Sequence, residues 1–306
     1  MFDGIDPAGQ QFLAALDLLQ RRAANAQEQI SSGFKISGPA DAPQQLGEIL
    51  QINSNLQEFQ QISLNLGRVK AEVDTAESSL QSAVGILQRA VSIGQQGAST
   101  TNAAVARPVL VEQLRQLHEQ LVNLSRTTVE NRFIFSGDAD GSPAYEVNLA
   151  NPNGVNRLIT APATRLVQSP AGSSFGIQRT AQDIFDHRNP DDSPATDNVF
   201  AAVNNLRAAL AANDQAGIDA GLTKVRVASD YLNQQLAFYG TAQNRVAAAI
   251  DSADNLQTRW RVRLSDLRDT DVPAAIVELN QIQNNEQAAL SAEAHRPRIS
   301  LFDYLK

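Results

Sequence analysis

The chain carries three histidines, His118, His187 and His295, far apart in sequence, and no cysteine. A zinc site takes its ligands from closely spaced Cys and His or from a His-Glu-x-x-His run on one helix face. Neither pattern is present. His118 follows Leu117 on a leucine-lined stretch and His295 precedes Arg296, so each reads as a surface or bundle-edge residue. Asp138, Asp140 and Gly141 open like a calcium loop, but Leu149 stands where a twelve-residue loop needs its closing glutamate, and a turn is the simpler reading. Asp266, Asp269 and Asp271 suit a helix start, where a carboxylate accepts free N–H groups and faces the positive end of the dipole, better than an acid–base pair. No Gly-x-Gly-x-x-Gly, phosphate-binding loop or Gly-x-Ser-x-Gly occurs. The expectation is a chain with no catalytic residues, no cofactor and no metal, and therefore not an enzyme.

Composition points the same way. Of 306 residues, 42% are hydrophobic but only 5% aromatic, which favours long helices over a bulky aromatic core. The net charge of -8 disfavours nucleic acid and anionic membrane surfaces as partners. No apolar run is long enough to span a bilayer, and no basic segment followed by an apolar one opens the chain, so neither membrane insertion nor a Sec-type signal is expected. The absence of cysteine fits chance equally with a chain that passes unfolded from a reducing to an oxidising compartment.

Hydrophobic spacing then sets the elements. From Pro7 to Ile30, Phe12, Leu16 and Leu19 fall four and three apart with Leu13 alongside, an amphipathic helix. Ser31-Ser32-Gly33, Ser37-Gly38-Pro39 and Pro43 interrupt it as a loop, with Asp41 the expected N-cap of the next helix and Pro43 in its first turn. A heptad-like seam follows from Leu46 through Ile49, Ile52, Leu56, Phe59, Ile62, Leu66, Val69, Val73, Ala76, Leu80, Ala83 and Leu87 to Ala90. Gly94 to Asn102 reads as a turn, and Leu110, Leu114, Leu117, Leu121 and Leu124 as a helix folding back antiparallel.

Past Asn131 the signals become those of strands and turns. Candidate strands are 145–149, 157–160, 164–168 and 175–179, divided by Asn-Pro-Asn-Gly and Ser-Pro-Ala-Gly. Helical spacing resumes at Val199, Val203, Leu206 and Leu210, then along Tyr239, Gln243, Val246, Ile250, Ala253, Gln257, Trp260, Leu264 and Leu267. A last helix begins with Asp271 as N-cap and Pro273 just inside, and carries Ile276, Leu279, Ile282 and Leu290; Pro297 is expected to kink or stop it.

The fold class expected is mainly α: a long antiparallel coiled-coil helix bundle formed by both chain ends, with a small β-rich inserted domain. Three domains are expected: residues 1–36 with 268–306 as a terminal helical assembly domain, 37–135 with 198–267 as the bundle, and 136–197 as the insert. A two-helix pair buries too little to stand alone. Phe12, Leu16, Leu19, Ile276, Leu279, Ile282 and Leu290, with Leu301, Phe302, Tyr304 and Leu305 of an unusually apolar tail, are therefore the expected assembly interface. Ser32, Gly33, Ile36, Pro39, Asp41 and Pro43 form the expected hinge.

Gln29-Ile30-Ser31-Ser32-Gly33-Phe34-Lys35-Ile36 and the Pro39 to Pro43 break resemble the N-terminal signature of the flagellin family, in which a Ser-Gly turn separates two helical regions. Leu267-Arg268-Asp269-Thr270-Asp271 and Ile299 to Leu305 resemble that family's C-terminal region. The Ser-Leu-Phe-Asp-Tyr-Leu ending and Asn131-Arg132-Phe133-Ile134-Phe135-Ser136-Gly137 are more similar to members of the hook-filament junction than to the filament subunit. The resemblance implies a self-assembling homo-oligomer, exported from the cytoplasm by the flagellar type III system to an extracellular place on the flagellum. It also implies other axial proteins as partners, namely the hook-side junction protein and flagellin, and an export chaperone for the C-terminal region. The filament subunit and an unrelated coiled-coil module stand as alternatives.

Overall fold

The computed structural model describes residues 7–39, 41–99, 103–170 and 172–295. The chain is mainly α with a small β-rich region. In order come α1 (Pro7–Ser32), α2 (Pro43–Ala98), α3 (Ala103–Ser125), β1 (Thr128–Val129), β2 (Arg132–Phe133), β3 (Tyr145–Val147), β4 (Val155–Arg157), β5 (Leu166–Gln168), β6 (Ser174–Gly176), α4 (Ala181–Phe185), α5 (Val199–Ala211), α6 (Gln215–Arg268) and α7 (Val272–Ala294). Two compact units result, 59–255 and 1–58 with 256–306, and their boundaries fall inside α2 and α6.

In the unit 59–255, α2 buries Leu66, Val69, Val73, Ala76, Leu80, Ala83, Leu87 and Ala90, alternating three and four residues apart as a coiled-coil seam requires. Two sequence expectations fail on this core. Gly94 does not open a turn, because α2 continues to Ala98 and carries the seam through Gly94 and Gly97. A Cβ at Gly94 would lie 2.6 Å from a methyl of Leu222, and one at Gly97 would lie 2.2 Å from a methyl of Leu210, so these glycines admit neighbouring helices rather than break their own. From Tyr239 to Ala253 of α6 the buried positions are Tyr239, Ala242, Val246, Ala249 and Ala253, not Gln243 and Ile250. Small residues occupy the line of closest approach, and the Gln243 amide instead donates to Asp74 Oδ1 (2.9 Å) and Glu77 Oε2 (2.5 Å) on α2.

Among the described residues the β region is three separate antiparallel hairpins, β1–β2, β3–β4 and β5–β6. Glu130 and Asn131, both at positive φ, close the first. The second pairs Tyr145 with Arg157 and Val147 with Val155, and the third pairs Leu166 with Gly176 and Gln168 with Ser174. The strands are shorter than the spacing predicts and begin earlier on their second arms. Beyond β6, Gln178 donates to the Ile134 carbonyl and the Arg179 N–H to the Tyr239 hydroxyl, so the chain turns to the bundle instead of extending its ladder. The short α4 starts in a reciprocal cap between Thr180 and Asp183.

Candidate assembly site

In the other unit, α1 and α7 pair along half-buried or buried seams. On α1 these are Phe12, Leu16, Leu19, Ala23, Ala26 and Ile30; on α7 they are Val272, Ala275, Leu279, Ile282 and Ala289. Arg22 meets Glu278 at 2.7 Å across the pair. A smaller core of Ile49, Ile52 and Leu264, flanked by Ile36, Leu56, Trp260 and Leu267, holds the neighbouring turns of α2 and α6.

The breakers join these parts as one clasp. Gly33, at φ +75, ends α1 with its N–H donating to the Gln29 carbonyl, the left-handed cap that glycine makes without strain. The Thr270 N–H then donates to the Gly33 carbonyl (2.9 Å) and the Lys35 N–H to the Arg268 carbonyl (2.8 Å), with Ile36 N–H reaching the same oxygen at 3.4 Å. Ser32 Oγ accepts from the Phe34 N–H, and the Arg268 guanidinium lies over the Phe34 ring. Pro39 is exposed, and Pro43 is the first residue of α2.

Asp41 does not cap α2. Its Oδ2 accepts from the N–H groups of Ser37 and Gly38, so it closes the preceding loop, and the Ala42 carbonyl takes the first helical bonds. Among the three aspartates near α7, Asp271 is the cap, accepting from the Ala274 N–H. Asp269 accepts from the Ser265 hydroxyl, and Asp266 offers its main-chain carbonyl to Lys35 Nζ.

The residues expected at the interface divide into two sets. Phe12, Leu16, Leu19, Leu279 and Ile282 lie on the internal seam of the pair, whereas Ile276 and Leu290 are exposed. The outward surface also carries Leu13 at 64%, Leu18 at 60% and Val277 at 57% exposure. Leu18 and Val277 were not singled out by spacing: Leu18 adjoins the seam residue Leu19, and Val277 adjoins Ile276, which spacing placed on the apolar face and which is itself exposed. Leu301, Phe302, Tyr304 and Leu305, and the kink expected at Pro297, lie outside the described residues.

The polar clusters lie elsewhere, in the β region. Asp186 is fully buried and accepts from Tyr145 Oη, Asn153 Nδ2, Asn198 Nδ2 and Arg188 Nε, at 2.7 to 3.0 Å. A carboxylate so fully engaged is a structural anchor. His187 Nδ1 donates to Asp197 Oδ1 at 2.7 Å and its ring stacks on Tyr231, and His295 caps the exposed end of α7. His118 is not at the bundle edge as expected: the β3–β4 turn covers it completely, and burial pushes its pKa down to about 4. Among the described residues no three His, Cys, Asp or Glu side chains group as metal ligands.

Comparison with known proteins adds the following. Residues 9–140 match the model of the bacterial flagellin N-terminal helical region, and residues 222–305 match that of the C-terminal helical region. A flagellin of Halalkalibacterium halodurans is 24% identical over 92% of this chain and 91% of its own length. Flagellar hook-associated protein 3 of Escherichia coli is 26% identical over 91% of this chain and 92% of its own. The solved structure of a putative flagellar hook-associated protein from Vibrio parahaemolyticus superposes with a TM-score of 0.65 at 18% identity, covering 75% of this chain and all of that one, a likeness of fold.

Proposed function

Because this chain belongs to the flagellin family, we propose that it is a structural subunit of the bacterial flagellum that self-assembles at the hook-filament junction and connects hook to filament. The observation that carries the assembly role is the outward surface of the α1–α7 pair, where Leu13, Leu18, Ile276, Val277 and Leu290 stand in solvent. Such a surface gains stability only when another chain covers it. The role is mechanical rather than catalytic. An unrelated coiled-coil module is displaced by the family membership.

The junction is favoured over the filament by the ending Ser300 to Leu305 and by Asn131 to Gly137. The partners follow from that place: further copies of this chain, the hook-side junction protein and flagellin. Export through the type III channel, with a chaperone on the C-terminal region, suits a chain without a thiol to cross-link on the way out. The filament-subunit reading draws on the flagellin relatives, which align over nearly all of their length.

Deletion of the gene separates the two. Electron microscopy should show hooks without filaments while flagellin accumulates in the medium. Cells that lack filaments and secrete no flagellin would instead make this chain the filament subunit.

A further inference from the structure

The imidazole of His118 sits at the junction of α3, α5 and the β3–β4 tip, with no exposed surface. Its Nε2 lies 3.1 Å from the Asn153 carbonyl, which can only accept, so Nε2 carries the ring proton and Nδ1 is the basic atom. Nδ1 is buried and has no hydrogen-bond partner. The ring lies 5.9 Å from that of Phe200 on α5, and Gly154, at φ +77, packs so tightly that a Cβ there would stand 2.5 Å from Nε2.

The groups around this ring offer no home to a second proton. From α5, Arg207 is a like charge, and its Nε donates to Asn204 Oδ1; Asn204 in turn holds the carbonyls of Asn151 and Pro152. From the tip come the Asn153 carbonyl and Gly154, neither of them titratable. On α3 itself Arg115 and Glu119 pair with each other. The carboxylate beyond Asn153 is Asp186, reached through the Asn153 side chain and already accepting from four donors.

We propose that His118 is an acid-labile latch: protonation at Nδ1 releases the β3–β4 tip, residues 148–154, from α3 and α5 while the helical core stays folded. A buried imidazolium without an acceptor is unstable, and the cover that can move is a hairpin turn whose internal bonds travel with it: Asn151 N–H to Asn148 O, Gly154 N–H to Asn151 O and Asn148 N–H to Gly154 O, with the Asn148 and Asn151 side chains bonded to Asn156 and Val155. Its release must break the bonds from Asn153 Nδ2 to Asp186 and from Asn204 Nδ2 to the Asn151 and Pro152 carbonyls. The sign follows from the depressed basicity. The closed tip is fully favoured above the free imidazole value of 6.5 and loses ground as pH falls toward about 4. The device is independent of the assembly role.

Hydrogen exchange by mass spectrometry on the full chain at about pH 7.5 and about pH 4.5, corrected for intrinsic rates, tests it. Peptides covering 148–154 should exchange at least about tenfold faster at the lower pH, with peptides covering 76–90 and 239–253 unchanged. In His118→Gln, whose amide can still donate to the Asn153 carbonyl, and in His118→Phe, the acid response should vanish. Should either variant fail to fold, an NMR titration of His118 in the unaltered chain decides, because its transition must coincide with tip exchange. Equal tip exchange at both pH values, the same response in His118→Gln, or core peptides accelerating together with the tip would overturn the proposal.

Discussion

The guanidinium of Arg268, the last residue of α6, lies 3.9 Å above the ring centre of Phe34, just past the end of α1. With the main-chain bonds between Gly33–Ile36 and Arg268–Thr270, this contact makes the two helix breakers a single joint. The turn after α1 and the turn before α7 therefore keep their geometry together. The outward surface of the α1–α7 pair, proposed above as the assembly surface, is oriented by that joint.

Replacing Phe34 by Ala should cost about 1 to 2 kcal/mol, from the lost cation–π contact and the partly buried ring. Trp260, the single tryptophan, packs in the small core beside this joint, so its fluorescence follows this unit during urea unfolding. Phe34→Leu should recover part of the loss. An unchanged tryptophan transition in Phe34→Ala would show that the main-chain bonds alone hold the clasp.

Three glycines within α2 should respond with opposite signs. Gly85 has nothing within reach of a new Cβ, so Gly85→Ala should stabilise by about 0.5 to 1 kcal/mol through helix propensity. Gly94→Val forces a branched side chain against both Leu222 and Leu206 and should cost about 1 to 3 kcal/mol, and Gly97→Val should behave alike against Leu210. Melting curves of the three variants check this, and stabilisation at Gly94 would mean that the leucines repack freely.

Much of the bundle was legible because large apolar residues at steps of three and four must share a face, as Leu66 to Ala90 do. What spacing could not show was where helices come closest. There the seam uses Gly94, Gly97, Ala242 and Ala249, and apolar size is the wrong signal for such positions. The burial of His118 was hidden for a related reason, since the cover comes from Asn153 and Gly154, distant in sequence and polar in type. The same holds for the candidate site. Phe12, Leu16 and Leu19 have the spacing of a seam and lie on one, while the outward Leu13 and Leu18 become distinguishable only once α7 is seen to occupy the other face.

At alkaline pH, stability should fall from about pH 10 upward. Tyr145 and Tyr239 are fully buried and burial raises both hydroxyls above their ordinary value of 10.0, so the folded state keeps protons that the unfolded state releases. Their contribution is fully present below pH 10 and is lost above it, at about 1.4 kcal/mol per pH unit for each tyrosine. Urea midpoints measured across this range should show the slope, and because burial also raises the Tyr231 hydroxyl, to about 12, Tyr239→Phe should remove about a third of it. A flat profile between about pH 10 and 11 would contradict the burial of these hydroxyls.

The assembly surface and the internal seam make separable predictions. Leu13→Ser with Leu18→Ser, or Ile276→Ser with Val277→Ser, removes side chains that are already in solvent, so thermal stability of the free chain should change by less than about 0.5 kcal/mol per site. Assembly should fail nonetheless, read as loss of filament attachment when the variant is the only copy in the cell. Ile282→Ala should do the reverse, because Ile282 is buried on the seam: the α1–α7 pair should lose about 2 to 4 kcal/mol before any interface is tested. Removing residues 300–306, the apolar ending, should resemble the surface variants, with the bundle still folded and attachment lost. If the surface variants attach filaments normally while only Ile282→Ala fails, Leu13, Leu18, Ile276 and Val277 take no part in assembly. The contacts between copies must then be made by another face of the molecule.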